Sequence, residues 1–263
     1  MSDRGPLSER ALARTYESTS YTDAYETVEE YRRVMSYASR HPNKGSTSIA
    51  STFDLPRGRV RPWIEHVSVP DPVRAIETAR EYGWLEADLD SPTFTALNTL
   101  VANVFSGGSI STAHYAPTFA LNHHGEHSHV VDALESSNIE FDVIERDGRA
   151  DEARPATDGT ILGRTLAVLG APVGPKAEQR LELPSYLSDA PEPVRERFVH
   201  SYLKNRAVEH NQKDTLTIQE ERNRDYLESL CELIDSVVDE RVVLGERHIV
   251  ISADAARSLG TVR

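Results

Sequence analysis

Between Ser91 and Gly125 the chain carries no Asp, Glu, Lys or Arg, although charged residues make up 27% of its 263 positions. Left in water, a stretch of that length would expose a large apolar patch, so it belongs inside the molecule. Leu97, Leu100, Val101, Val104 and Phe105 recur within it at three- and four-residue spacing, which predicts a helix with an apolar face. Ala102 and the pair Gly107 and Gly108 leave room for another backbone, and the glycines predict a left-handed helix end. Ser109 to Leu121 then reads as two short strands that bend near Ala116 and Pro117.

A chain of this length holds one large or two modest domains, and two are expected. Its formal net charge is -13, and lysine occurs only at Lys44, Lys176, Lys204 and Lys213. An acid-rich, lysine-poor surface stays soluble in a salt-loaded cytoplasm, so a halophilic, archaeal source is expected. The single Cys231 sits on an apolar helical face, excludes an internal disulfide and reads as a buried thiol rather than a nucleophile. No apolar run approaches the length of a membrane span and the polar N-terminus does not read as a signal peptide, so the expected compartment is the cytoplasm and no membrane partner is expected.

Residues 1–21 are polar and mixed in charge, and read as an N-terminal tail. A first domain is expected over residues 22–86. Asp23 can cap a helix to about Arg40 with Tyr25, Val28, Tyr31, Val34 and Tyr37 on one face, stopped by the turn at His41 to Gly45. Gly45 to His66, GSTSIASTFDLPRGRVRPWIEH, is the most specific local pattern. It predicts a short helix capped by Ser46 or Thr47, a turn at Asp54-Leu55-Pro56 and a second short helix from Arg57 to Glu65, shortened or kinked by Pro62. Ala50 and Val60 stand ten apart, the separation at which a helix-turn-helix packs a small residue of its first helix against an aliphatic one of its recognition helix.

From Tyr31 to His66 seven cations face two acids, a formal balance of +5 in an acidic chain. Phosphate is the partner such a segment suits, and arginine matches guanine edges in a bidentate fork. Arg32, Lys44, Ser46, Thr47, Arg57, Arg59 and Arg61 are therefore the expected DNA-binding residues, against the alternative of a solvated basic face for a protein partner. A further helix from Asp71 to Gly83, closed by Trp84 and Leu85, completes this domain. The acidic linker Glu86 to Pro92 follows.

Beyond the charge-free stretch, His123, His124, His127 and His129 crowd together with Glu126. Close imidazoles can bind zinc, but a loop does not fix a tetrahedron, and polar loop residues near DNA are the preferred reading. Ile139 to Arg146 predicts a strand, Asp147 to Gly159 a polar excursion, and Gly159 to Leu169 a strand and helix start. Gly170 to Lys176, GAPVGPK, is a bend and not a phosphate loop, because its glycine spacing is wrong and its prolines remove the amides such a loop uses. Strands near Ala207 to His210 and Asp214 to Gln219 and a helix from Asn223 to Val238 follow. Strands at Arg241 to Leu244 and His248 to Ile251 and a last helix at Ala253 to Leu259 end the pattern.

Leu100 to Gly108, LVANVFSGG, resembles a degenerate copy of the LAGLIDADG helix of homing endonucleases. A second candidate, FVHSYLKNR at Phe198 to Arg206, begins 98 residues later, a plausible length for one half of a two-repeat chain of that family. The lead-in segments LPSYL and VRERF and the GAPVGPK bend also resemble features of that family. The resemblance implies an α+β chain: an all-α helix-turn-helix domain, then a two-repeat LAGLIDADG-like domain over residues 92–263. Its repeats, at about 92–175 and 183–263, each run helix, strand, strand, helix, strand, strand, helix, on saddle-shaped antiparallel sheets.

Nucleases of the family place an Asp or Glu at the foot of each motif helix to hold divalent metal. Those slots fall here on Gly107 and Asn205, and no acid lies between Asp90 and Glu126 or between Glu196 and Glu209. Hard cations need carboxylates, so no catalytic residue, metal or cofactor is assigned. The resemblance implies a sequence-specific DNA-binding protein, a transcription regulator similar to the bacterial sporulation regulators that resemble inactive homing endonucleases. Double-stranded DNA is the expected partner, and a homodimer is left open. A DNA-cleaving enzyme or its remnant is the alternative. A scaffold using the C-terminal sheet on protein is the third reading, favoured by acid-rich strands such as Thr215 to Glu221.

Overall fold

The computed structural model describes residues 6–17, 23–121, 128–146, 148, 150–210 and 213–259. It begins with five helices: α1 (Glu9–Ala13), α2 (Tyr25–Arg40), α3 (Ser46–Phe53), α4 (Arg57–Glu65) and α5 (Asp71–Glu81). Two like-ordered halves follow. The first is α6 (Pro92–Ser106), β1 (Ser109–Ile110), β2 (Pro117–Ala120), α7 (His129–Ser136), β3 (Phe141–Ile144), β4 (Glu152–Pro155) and α8 (Gly159–Val168). The second is α9 (Glu192–Arg206), β5 (Val208–His210), β6 (Lys213–Gln219), α10 (Arg224–Asp235), β7 (Val242–Leu244), β8 (His248–Ile251) and α11 (Ala253–Ser258).

Each half builds one four-stranded antiparallel sheet. The strand orders are β1-β2-β4-β3 and β5-β6-β8-β7, the same path taken twice. The fold is α+β, and the helix-strand-strand-helix-strand-strand-helix order expected from the sequence is present in both halves.

Helices α6 and α9 form the centre. Every residue from Ala96 to Ser106 is buried, which is why the sequence there tolerates no charge. Phe105 packs on Phe198 with ring centroids 6.0 Å apart and on Tyr226 at 6.0 Å. Asn98, Thr99, Asn103 and Ser106 of α6 are buried with partners. Asn98 donates to the Val194 carbonyl at 2.8 Å and accepts from the Tyr186 hydroxyl at 2.7 Å. The Asn103 amide donates to the Ala120 carbonyl at 2.9 Å and accepts from the Ala120 N–H at 3.1 Å. Asn103 thus pairs with β2 much as a neighbouring strand would.

The main apolar core runs without a break from Leu7, Leu12, Val28, Ile76 and Trp84 into Phe94 and the sheets. A smaller core of Val34, Ile49, Ala50, Val60 and Trp63 lies under α2, α3 and α4.

Three expectations change. Residues 9–13 of the expected tail form α1, capped by Ser8, whose Oγ accepts from the Ala11 N–H at 3.2 Å. Leu7, Leu12 and Ala13 bury against the core, a run too short to register as a periodic pattern. Residues 152–155 of the expected excursion form β4, whose sequence EARP sends only Ala153 inward, so its alternation is faint. Residues 159–168 are helix throughout, with no strand at their start.

Candidate nucleic-acid interface

The segment Gly45 to His66 folds as two short helices around a left-handed residue. Asp54 ends α3 with φ 52 and ψ 43, a conformation Asp tolerates better than most side chains. Ala50 and Val60 are both buried in the small core, where the Trp63 ring meets Tyr31 edge-on at 5.4 Å. Pro62 sits inside α4, which nonetheless continues to Glu65.

The expected DNA-binding residues divide into two groups. Arg57, Arg61, Lys44 and Thr47 are exposed. Arg57 and Arg61 are four apart, so they share the solvent face of α4. Arg61 Nε is held 2.8 Å from Glu65 Oε2, and the Lys44 ammonium donates to the Tyr37 hydroxyl at 2.5 Å.

The other three have structural duties. Ser46 is 2% exposed and donates to Glu65 Oε1 at 2.5 Å. That bond, with Arg61, holds the Glu65 carboxyl below the usual range. Gly45, not Ser46 or Thr47, is the N-cap of α3, and no side chain caps it. Arg59 reaches back to α2 and meets Glu30 at 3.2 Å, with side-chain exposures of 27% and 3%. A nearly buried carboxylate needs its countercharge, so Arg59 is committed to the fold. Arg32 lies 2.7 Å from Glu9, which also pairs with Arg80. Burial pushes the Glu9 carboxyl up, but Arg32 and Arg80 outweigh it and hold it low. Glu30 and Glu9 lie outside the segment whose charge was counted, so the sequence alone did not reveal that they occupy two of its cations.

At the foot of the paired helices, the two slots that the resemblance singled out come together. A Cβ placed on Gly107 would lie 4.0 Å from Asn205 Cβ and 2.9 Å from Ala120 Cβ. Neither Gly107 nor Gly108 takes a positive φ. Their glycine is required by contact instead: a Cβ on Gly108 would meet the Thr118 carbonyl oxygen at 2.6 Å. Asn205 donates to Ser106 Oγ at 3.1 Å, while its own Oδ1 is buried without a partner.

Lys176, from the GAPVGPK bend, donates to the carbonyls of Val104, Phe105 and Gly108 at 2.6, 3.1 and 2.9 Å. It thereby satisfies the free carbonyls at the C-terminus of α6 and opposes that helix's negative end. Burial and the neighbouring Arg222 bring its ammonium down to about 8. The sequence marked this bend but not the lysine's role.

Beside Lys176 sits Glu220, 4% exposed. It accepts from Tyr202 Oη at 2.5 Å and from Arg206 and Arg222 at 2.9 and 3.2 Å. Its charge is therefore already matched by the protein. Among the described residues, no group of three or more His, Cys, Asp or Glu side chains is placed to hold a metal ion.

Of the histidine cluster, His123, His124, Glu126 and His127 lie outside the described residues. His129 opens α7 and is half-buried, with both ring nitrogens shielded from solvent. Burial, then Lys204 and His200, lower it to about 4. His200 is brought to about 4 by burial, Lys204 and Arg197. This positive surrounding disfavours a further cation.

The outer faces of the sheets differ. Val208, Thr217, Val250 and Val243 form one unbroken row across β5, β6, β8 and β7, with Val208 66% and Val243 39% exposed. Across the first sheet, Asp142 is paired with Arg154 in register, and Glu152 bridges Arg146 and Arg154.

No family model matches the sequence, and no curated protein matches it. The fold's structural neighbours are LAGLIDADG proteins. Full-length DUF199/WhiA from Thermatoga maritima aligns with a TM-score of 0.43 at 10% identity over 66% of this chain, which spans 57% of that one. The N-terminal LAGLIDADG domain of DUF199/WhiA aligns with a TM-score of 0.43 at 10% identity, over 71% of this chain and 90% of that one. The homing endonuclease I-WcaI, solved bound to its DNA recognition sequence, gives 0.46 at 10% identity, over 74% and 88%.

Proposed function

We propose that this chain is a sequence-specific DNA-binding protein and acts as a transcription regulator. A helix-turn-helix formed by α3 and α4 makes the contact within a domain of residues 22–86, and residues 92–263 form a two-repeat LAGLIDADG-like domain without nuclease acids. The observation that carries the reading is the solvent face of α4. It presents Arg57 and Arg61 one turn apart, Arg61 paired with Glu65, in a chain whose formal net charge is -13. Cations kept on one face against such a background suit a phosphate backbone, and their spacing along a helix suits a groove.

Selection of binding sites from genomic fragments, followed by mobility shifts on the recovered site, tests this. The full chain is expected to recover a common sequence, and an Arg57→Ala, Arg61→Ala double variant is expected to lose it. Recovery of no enriched sequence by the native chain would defeat the regulator reading. A second reading, docking of a protein partner on the second sheet, is supported by the Val208-Thr217-Val250-Val243 row, which carries no cation for phosphate.

A further inference from the structure

Helix α9 carries a basic face of its own, on the side turned to the start of α7. Arg197, His200 and Lys204 stand three and four residues apart along it, so they share one stripe of the helix. His129, at the first turn of α7, lies near enough to that stripe to be acted on by Lys204, His200 and Arg197. Arg197 and Lys204 are exposed, and His200 is half-buried.

The protein does not balance this charge. Arg206, on the same helix, is matched by Glu220, whereas among the described residues Arg197 and Lys204 enter no ion pair. Apart from burial, the charges that lower His129 and His200 are Lys204 and Arg197, with His200 also acting on His129. Asp132 of α7 and Glu196 of α9 are exposed and near in sequence, yet neither acts on either imidazole. In a chain with 42 acids against 29 lysines and arginines, two neighbouring cations left without a carboxylate suit an anion from outside. Arg197 and Lys204 are about 10 Å apart along the helix axis, a span that a row of phosphates fills and a single carboxylate does not. Both are long side chains reaching solvent, the kind that grip a duplex backbone without reading its bases.

We infer that the Arg197, His200 and Lys204 face of α9 binds the phosphate backbone of duplex DNA, as a second contact apart from α4. It adds affinity for any duplex and no preference among sequences. The inference rests on the DNA-binding reading of the chain, but not on α4 as the element that reads sequence.

Fluorescence anisotropy of the full chain with its selected site and with an unrelated duplex, across a range of salt concentrations, tests this. Arg197→Gln with Lys204→Gln is expected to weaken both duplexes by the same factor, roughly tenfold. The slope of log affinity against log salt is expected to fall by about two, with the preference for the selected site and the circular dichroism spectrum unchanged. Arg241→Gln with Arg247→Gln, two exposed positions flanking β7, changes the net charge equally and is expected to leave affinity and slope in place. Undiminished affinity for both duplexes in the α9 variant would overturn the assignment. An equal loss in the control pair would overturn it too, since net charge alone would then account for the effect. Sodium tripolyphosphate is titrated in parallel, and a loss confined to that anion would replace DNA with a free oligophosphate as the occupant. A native chain that binds no duplex defeats the DNA-binding reading itself, whereas a native chain that binds and a variant that binds equally well defeat the α9 contact alone.

Discussion

Asn205 donates its side-chain amide to Ser106 Oγ across the two central helices, 3.1 Å away, at the point where Gly107 faces it. This junction is closed by packing and neutral hydrogen bonds, and the nearby Glu220 is already matched by Arg206 and Arg222. The unmodified chain is therefore expected to leave its selected DNA target uncut in magnesium or manganese. Asn205→Asp is expected to fold. Gly107→Asp is expected to lose roughly 1–3 kcal/mol by overpacking, since its Cβ would lie 2.9 Å from Ala120 Cβ. Specific strand cleavage by the native chain would remove the non-nuclease reading.

The three arginines of α4 are expected to separate by assay. Arg57→Ala and Arg61→Ala should weaken DNA binding with little change in thermal midpoint, because both are exposed. Arg59→Ala should lower the thermal midpoint, because it removes the guanidinium that faces the nearly buried Glu30. At ionic strengths near 1 M the screening length is about 3 Å, so affinity carried by direct contacts should persist while long-range steering is lost. Equal stability of all three variants would refute the structural role of Arg59.

Phe105 is 1% exposed and lies between Phe198 and Tyr226. Phe105→Ala is expected to destabilise the chain by roughly 3–5 kcal/mol, the range for removing a large buried ring. Urea denaturation followed by far-ultraviolet dichroism reads this directly, and a loss below about 1 kcal/mol would show that the helix pair is not packed as described.

His129 and His200 both titrate near 4 in the folded chain, against an ordinary value of 6.5. Between those values the unfolded chain binds more protons than the folded one, so stability rises with pH across that window. It is expected to be fully present above about pH 6.5 and to be lost progressively as pH falls towards 4. Replacing both residues, His129→Leu with His200→Gln, should flatten the dependence of the urea midpoint between pH 6.5 and 5, above the range where ordinary carboxylates protonate. An unchanged slope would mean that these rings are hydrated in solution.

What the sequence determined by itself was whatever depends on local periodicity or on excluded charge. The charge-free stretch had to become a buried helix, because eleven consecutive buried positions from Ala96 to Ser106 leave no solvent face for an ion. Ala50 and Val60 disclosed two packed helices because their contact spans a single turn. The strands of both halves were expected from the sequence and their order from the family resemblance, except for β4, where Ala153 alone points inward.

Tertiary structure alone decided which charges are tied to another element and why the glycines are needed. Arg59 and Arg61 are two residues apart in one helix, yet Arg59 is tied to Glu30 of α2 while Arg61 pairs with Glu65 on the exposed face of α4. That difference depends on which side of α4 meets α2. Lys176 looked like part of a bend until the fold carried it 68 to 72 residues back in sequence to the carbonyls of Val104, Phe105 and Gly108 at the end of α6 and just past it. Gly108 proved necessary through the Thr118 carbonyl on the adjoining strand, not through its own dihedral angles. In each case the partner comes from another element, and a contact between elements is set by how they pack, which no local pattern records.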